Sequence, residues 1–561
     1  MSLQLHASHP ILIPELLALI FSHLDERNIA RTATVCRQWA EISLDAAWRN
    51  VSDIRRLVVL LCPVSSQMQY GPRNSCVCTY KLKRSIHPSD WQRFDRYAYR
   101  VRSLTCDDKN RKHTDSSVWA EVKRTRSRTD LLPNLQSLSW YSCSADRQAS
   151  CLHFLHAGVK RLSINVFPIQ IGDSWGSFVE HVHAQAPGVT HLDIRSEFPV
   201  ATVEGEILSL VGGFPGLTEV TVPIYCLTST IAARFSTFEQ LSVIAFSKPV
   251  ERRTGQPSDV AHFAPSLSAG AFPALQKLSF SAHLAHALEF VNSPFAPHQL
   301  TSLYVNVIAI DNSFVLQHFF SGIATHFRQL RELRVDFIIG PDAPIVYPPP
   351  PLHTRPNIQT FRPLLSCLHL TKLEFRWDYQ VNFTQADIEE IASSWPTLEV
   401  FLLNCQPIPE ISGPVLTMHA LLPFAQHCPR IRELGLYLNA DIIPMHYPTS
   451  PLHTFKSLHT LSLGASTITN PNSVALSLSR LLPLGCEIVS GVRWPDAFGI
   501  ALDRVGIMDD RRVRMTEWWV KWNEVAKVIP LAIEARMEER ERITVLESEV
   551  GAATERLKVR E

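Results

Sequence analysis

Down most of the chain the apolar residues keep one rhythm: an apolar position, two variable ones, a second apolar position, one variable, and a third apolar position. It reads Leu135-Leu138-Trp140, Val159-Leu162-Ile164, Val189-Leu192-Ile194, Leu217-Val220-Val222, Leu241-Ile244-Phe246, Leu275-Leu278-Phe280 and Leu300-Leu303-Val305. It continues as Leu330-Leu333-Val335, Leu370-Leu373-Phe375, Leu398-Phe401-Leu403, Ile431-Leu434-Leu436 and Leu458-Leu461-Leu463, with Val101-Leu104-Cys106 as a degenerate earlier copy. The last two apolar positions alternate with a variable one, the period of a strand that buries one face. Before several copies runs a helical stretch ending in proline, as in EEIASSWPTLEVFLL (Glu389 to Leu403) and LLPFAQHCPRIRELGL (Leu421 to Leu436). Proline cannot continue a helix, so each unit predicts helix, break and strand.

The interval averages about 29 residues between Leu138 and Leu461, within the range of a leucine-rich repeat, which this pattern resembles. The resemblance implies an α/β solenoid, a horseshoe with parallel strands inside and helices outside, expected over residues 99–465. The two longest intervals hold polar, proline-rich insertions, KPVERRTGQPSD and PDAPIVYPPPPLHTRPN, as loops should be. The family's asparagine or cysteine after the strand is mostly missing, Asn404-Cys405 being the nearest match. Residues 466–561, with Trp518, Trp519 and Trp522 before a charged helical run, are expected to cap the open end as a helical cap and tail. Ile543, Leu546, Val550, Ala553 and Leu557 have coiled-coil spacing, but two heptads are short for a coil and a capping helix accounts for them.

The first fifty residues follow a different pattern. Pro14 suits the first turn of a helix, and Glu15 complements its positive end. Leu16, Leu17, Leu19, Ile20 and Leu24 follow at helical spacing, Asp25 can cap a second helix through Ile29 and Thr32, and Val35, Trp39 and Ile42 mark a third. Three short helices in about forty residues rarely enclose a sufficient core, which implies a partner. The run from Ile13 to Asn50, with its Ile-Pro-Glu start, Val35-Cys36-Arg37 ahead of Trp39, and a closing Trp48, resembles an F-box.

That resemblance implies a three-helix F-box over residues 10–51, joined by a helical connector (52–98) to the solenoid. It implies docking onto the small adaptor subunit of cullin-RING ubiquitin ligases and, through it, onto the cullin. By position the adaptor contacts are Ile13, Pro14, Leu16, Ile20, Leu24, Val35, Cys36 and Trp39. The first helix has one residue fewer than the commonest F-box, which leaves the phase of Leu16 and Leu17 open. The function implied is substrate recognition in an SCF-type ligase, by proximity and without catalysis. The alternative is a repeat scaffold acting outside any ligase.

In each strand the residue between the last two apolar positions, and the residue after them, should face the concave side. In the later repeats these include Tyr304, Asn306, Arg334, Asp336, Glu374, Arg376, Asn404 and Tyr437, the expected surface for a protein target. Arg334 can equally pair with Glu374 across the ladder.

Composition narrows the rest. The 54 basic and 53 acidic residues nearly cancel, so no global field draws the chain to nucleic acid or anionic lipid. KRTRSR (Lys123 to Arg128) is expected as a solvated loop. Twelve cysteines, mostly inside apolar runs, suggest a reducing compartment, cytoplasmic or nuclear. No secretory leader or membrane span is expected. There is no phosphate loop, HExxH, GxSxG or paired CxxC, so no enzyme, cofactor or metal site is expected.

Overall fold

The computed structural model describes residues 13–558 except 72–74, 108–111, 143, 169–174, 248–254, 309–312, 338–349, 409, 411–412, 443–453 and 492–508. Most of the two proline-rich insertions, and residues 10–12, fall outside the described residues. The chain divides into two compact units. One is Met1–Cys226 with Arg234–Ser247 and Arg253–Gln256; the other is Leu227–Ala233 with Lys248–Arg252 and Pro257–Glu561.

Both units are built from the same rung. In the first, β1 (Asn50–Val51), β2 (Ser103–Asp107), β3 (Ser137–Tyr141), β4 (Arg161–Asn165), β5 (His191–Arg195), β6 (Glu219–Val222) and β7 (Val243–Phe246) pair as parallel neighbours in chain order. The register sets Leu104, Leu138, Leu162, Leu192, Val220 and Ile244 opposite one another. In the second unit the same holds for β8 (Lys277–Ala282), β9 (Ser302–Val307), β10 (Glu332–Asp336), β11 (Lys372–Arg376), β12 (Val400–Leu403), β13 (Glu433–Leu436), β14 (Thr460–Gly464) and β15 (Glu487–Ser490). There Leu278, Leu303, Leu333, Leu373, Phe401, Leu434, Leu461 and Ile488 form the row. Every residue of the twelve complete triplets is buried except Phe246. At about 1.5–3 kcal/mol for each buried aliphatic or Phe side chain, this row is the main source of stability.

The helix Gln385–Ser394 shows how one unit is closed. Thr384 Oγ1 accepts from Asp387 N while the Asp387 carboxylate accepts from Thr384 N, a reciprocal cap that fixes the start. Ile388, Ile391 and Ala392 face inward, and Trp395-Pro396 ends the helix with the indole buried. Leu398 N then donates to Trp395 O and the chain enters β12. The fold is an α/β solenoid of leucine-rich-repeat type following three N-terminal helices.

The sheet starts earlier and ends later than the triplets do. Val51 pairs with Leu104 in β1, and Ile488 with Leu461 in β15. The connector stretch holds, besides the helices Arg55–Leu61 and Pro88–Ala98, an antiparallel hairpin of Val64–Gly71 and Ser75–Leu82, to which Lys112–Thr114 adds. The basic run at Lys123 is not wholly a loop: Lys123 and Arg124 lie in the last turn of the helix Ser116–Thr125, where cations complement the helix dipole, and Arg124 pairs with Glu121.

A helix, Asp509–Lys558, closes the second unit. Trp522, Val525, Ile529 and Ile533 form one buried stripe on it. Trp522 Nε1 donates to Ser466 O at 2.9 Å, and the Arg536 guanidinium donates to Ser479 O. Of the three tryptophans only Trp522 enters the core; Trp518 is half-buried and Trp519 is exposed. No described helix is long and apolar enough to cross a membrane. Trp522→Ala should therefore cost about 3–5 kcal/mol, as for other large-to-small core changes, while Trp519→Ala should leave the melting curve near wild type. Equal effects of the two in thermal denaturation would contradict the cap.

Candidate functional site

The face of β9–β11 opposite the buried triplets carries the charged residues. The register puts Tyr304, Arg334 and Glu374 in one row and Asn306, Asp336 and Arg376 in the next. The Arg334 guanidinium lies 4.3 Å from the Tyr304 ring centroid, within 3.4 Å of Asp336 and 3.3 Å of Glu374. Arg376 meets Glu374 at 2.6 Å, and Tyr304 Oη donates to Asp336 at 3.4 Å. Burial, reinforced by the Asp336 carboxylate, raises the Tyr304 hydroxyl, which keeps it a donor. The charges thus pair with one another, and the Arg334 and Arg376 side chains remain about a third exposed.

Four residues expected on this surface lie in the interior instead. Asn306 and Asp336, near the ends of β9 and β10, are 2% and 4% exposed. Asn404 adopts φ 45°, and its side chain accepts from Trp377 N at 2.9 Å and donates to Tyr379 O at 2.6 Å. The side chain holds the bend after β11, and the left-handed backbone at Asn404 itself, just past β12, is one that asparagine tolerates better than most residues. Tyr437 is buried with its hydroxyl unpartnered, and burial raises it. In the same bend Asp378 is 1% exposed and neither carboxylate oxygen has a hydrogen-bond partner among the described residues. Burial, with Asp336 adding to it, pushes this carboxyl up to about 7. Nothing in the sequence singled it out. Among the described residues no group of three His, Cys, Asp or Glu could hold a metal ion.

The N-terminal helices α1 (Pro14–Ser22), α2 (Glu26–Thr32) and α3 (Arg37–Arg49) show the opposite situation, apolar side chains left outside. Asp25 caps α2 by accepting from Asn28 N at 2.7 Å, and Cys36 Sγ accepts from Trp39 N to cap α3. The inner contact is Leu17, Phe21 and Ile29, with Trp39 edge-on to Phe21 at 5.4 Å. The phase is settled: Leu17 points in and Leu16 points out. Leu16, Leu19, Ile20 and Val35 are 41%, 60%, 51% and 61% exposed, and Pro14 and Cys36 are exposed beside them. Ile13, Leu24 and Trp39 are half-buried, Trp39 being partly used by Phe21. Leu19, which is not among the expected contacts, is exposed on the same side of the helix, three residues from Leu16.

A family model for the F-box-like domain matches residues 14–53. Residues 14–53 are an F-box-like domain. No curated protein matches the chain significantly. Among solved structures, the leucine-rich repeat-containing protein LegL7 from Legionella pneumophila is 15% identical, with 48% of this chain and 83% of that one covered and a TM-score of 0.30. The Rad7 and Elc1 complex in yeast gives 14% identity, 61% and 78% coverage, and 0.34. The ectodomain of the plant receptor kinase GASSHO1/SCHENGEN3 from Arabidopsis thaliana, in complex with CASPARIAN STRIP INTEGRITY FACTOR 2, gives 10%, 72% and 48%, and 0.19. All three scores are too low to transfer anything from these proteins to this chain.

The F-box-like domain is built into the first unit. Its helix α3 runs straight into β1. Arg102 N donates to Arg49 O at 2.9 Å, continuing the ladder into the F-box-like domain. Arg100, with its side chain 2% exposed, forks onto the carboxylates of Glu41 and Asp45 and donates to Glu41 O at 3.2 Å. Trp48 packs against Tyr97 at 4.8 Å, and Arg56 lies 4.8 Å from its ring.

Asp378 supplies a pH test. Its carboxyl is raised from an ordinary value near 3.9, so the folded state holds the proton more tightly than the unfolded one. The resulting penalty is absent below about pH 4, grows to pH 7 and is complete above it, reaching up to roughly 4 kcal/mol. Asp378→Asn should therefore raise the melting temperature over wild type by more at pH 8 than at pH 5. A difference that does not widen with pH would contradict an unpaired buried carboxyl.

Proposed function

We propose that this chain is the substrate-recognition subunit of an SCF-type ubiquitin ligase, with the F-box-like domain docking the small adaptor and, through it, the cullin, and the repeats holding a protein target. The observation that carries the reading is the outward face Leu16, Leu19 and Ile20 of α1, with Val35 exposed between α2 and α3, on a domain that buries Leu17, Phe21 and Ile29 inside. Each such side chain gains about 1.5–3 kcal/mol when buried, so the row favours a partner that covers it. The chain's part in the reaction is then to raise the effective concentration of target lysines near the conjugating enzyme. The target surface we assign to the accessible faces of Arg334 and Arg376, since arginine is among the side chains that most often anchor interfaces.

Two measurements test this. In calorimetry with purified adaptor, Leu16→Glu with Ile20→Glu should weaken binding roughly a thousandfold, at about 2 kcal/mol or more for each anchor; undiminished binding would exclude this face. For the target surface, alanine is the wrong probe, because replacing both arginines would take away both ion pairs of the half-buried Glu374. Arg334→Lys with Arg376→Lys keeps the charge but loses the planar fork. Ubiquitin-remnant mass spectrometry of cells carrying this variant should show the same lost targets as deletion of the protein, with adaptor binding and melting temperature near wild type. Full recovery of those targets would place recognition elsewhere.

A further inference from the structure

The C-terminal helix carries one stripe through two settings. Trp522, Val525 and Ile529 are spaced three and four residues apart and are buried against the end of the second unit. The same heptad register passes Arg536, whose guanidinium donates to Ser479 O, and Glu539, and then becomes apolar again at Ile543, Leu546 and Val550. The second apolar block begins where the solenoid no longer covers the helix. From Met537 to Ala552 every residue is exposed, Ile543 by 47%, Leu546 by 57% and Val550 by 64%. A helical stretch of this length whose residues are all exposed is marginal in water. An apolar seam on it at positions a and d fits a second helix.

The charges beside the seam say which helix. Arg540 and Arg542 precede Ile543, and Glu547 and Glu549 follow Leu546, all at the flanking e and g positions. Place a second copy antiparallel, with its Leu546 against this Ile543. Arg540 then faces Glu547 of the second copy and Arg542 faces its Glu549, and the two-fold symmetry repeats both pairs. A parallel, in-register pair matches only Arg542 with Glu547. It also fails for space, because the seam face at Trp522–Ile533 is filled by each chain's own repeats, which two helices running the same way would force into one another. The antiparallel arrangement moves the second copy's repeats to the far end.

We propose that the exposed part of this helix is a self-association surface, on which two copies of the chain pair antiparallel through Ile543 and Leu546 with Arg540 and Arg542 set against Glu547 and Glu549. The apolar core is short, and Val550 meets Glu539 at its edge, so the dimer is weak and concentration-dependent. Salt screens the flanking pairs and weakens it further.

Sedimentation velocity of the full chain over a rising concentration series tests this. Wild type should move from monomer to dimer, and less so at high salt. Ile543→Lys with Leu546→Lys should stay monomeric throughout with an unchanged melting temperature, since both positions are exposed. Arg540→Glu with Arg542→Glu should also abolish the dimer, and adding Glu547→Arg and Glu549→Arg to that chain should restore it. A wild type that is monomeric at every concentration, a dimer that survives the lysine pair, or a charge swap that fails to restore association would each overturn the proposal.

Discussion

A repeat of this kind buries its apolar triplet only against the triplets of the repeats beside it. The first and last repeats therefore each need a cover of another sort. In the first unit the row opens on Val51, paired with Leu104, and what stands beside that rung is α3 of the F-box-like domain. In the second it closes on Ile488, paired with Leu461, and the cover is the stripe of Trp522, Val525 and Ile529. Exposed apolar side chains lie close by in the chain in both cases, on α1 and at Val35 ahead of α3, and at Ile543, Leu546 and Val550 beyond the C-terminal stripe.

This ties architecture to function within the first unit. Trp48 closes the F-box-like sequence, and it also stands three residues before Val51, as Val101 stands before Leu104. One residue thus belongs to both patterns. With Arg100 forked onto Glu41 and Asp45, the face presented by Leu16, Leu19 and Ile20 is fixed to the sheet of that unit by packing and charge, with no free linker between them. A receptor that works by proximity gains from such a join, since a loose tether spreads the effective concentration over a larger volume.

The rungs were legible because a triplet recurring about every 29 residues is a burial pattern, and burial depends on side chains that the sequence states directly. The outermost rungs were not. Counting back from Ile488 as Leu458 stands before Leu461 gives Gly485, and Ser490 ends the strand, so two of the three apolar positions are lost in β15. β1 was hidden inside the F-box-like pattern. At the first helix the spacing Leu16-Leu17-Leu19-Ile20 allows either leucine to face inward, and only the burial of Leu17 and Phe21, the latter against Trp39 of α3, decides it. The charged ladder is visible in the sequence as residue types, and the pairing of Arg334 with Glu374 is one of the two arrangements those types allow. The burial of Asn306, Asp336, Asn404 and Tyr437, and of Asp378, depends on contacts between residues distant in the chain, and no local period encodes that.

The central claim is that the outward face of α1 and the turn at Val35 is where an adaptor docks. Hydrogen–deuterium exchange on the full chain, with and without saturating purified adaptor, reads that face directly. The account predicts slowed exchange across Leu16–Ser22 and Val35–Trp39 on adding adaptor, with β9–β11 unchanged. Exchange in α1 that is the same in both samples would contradict it.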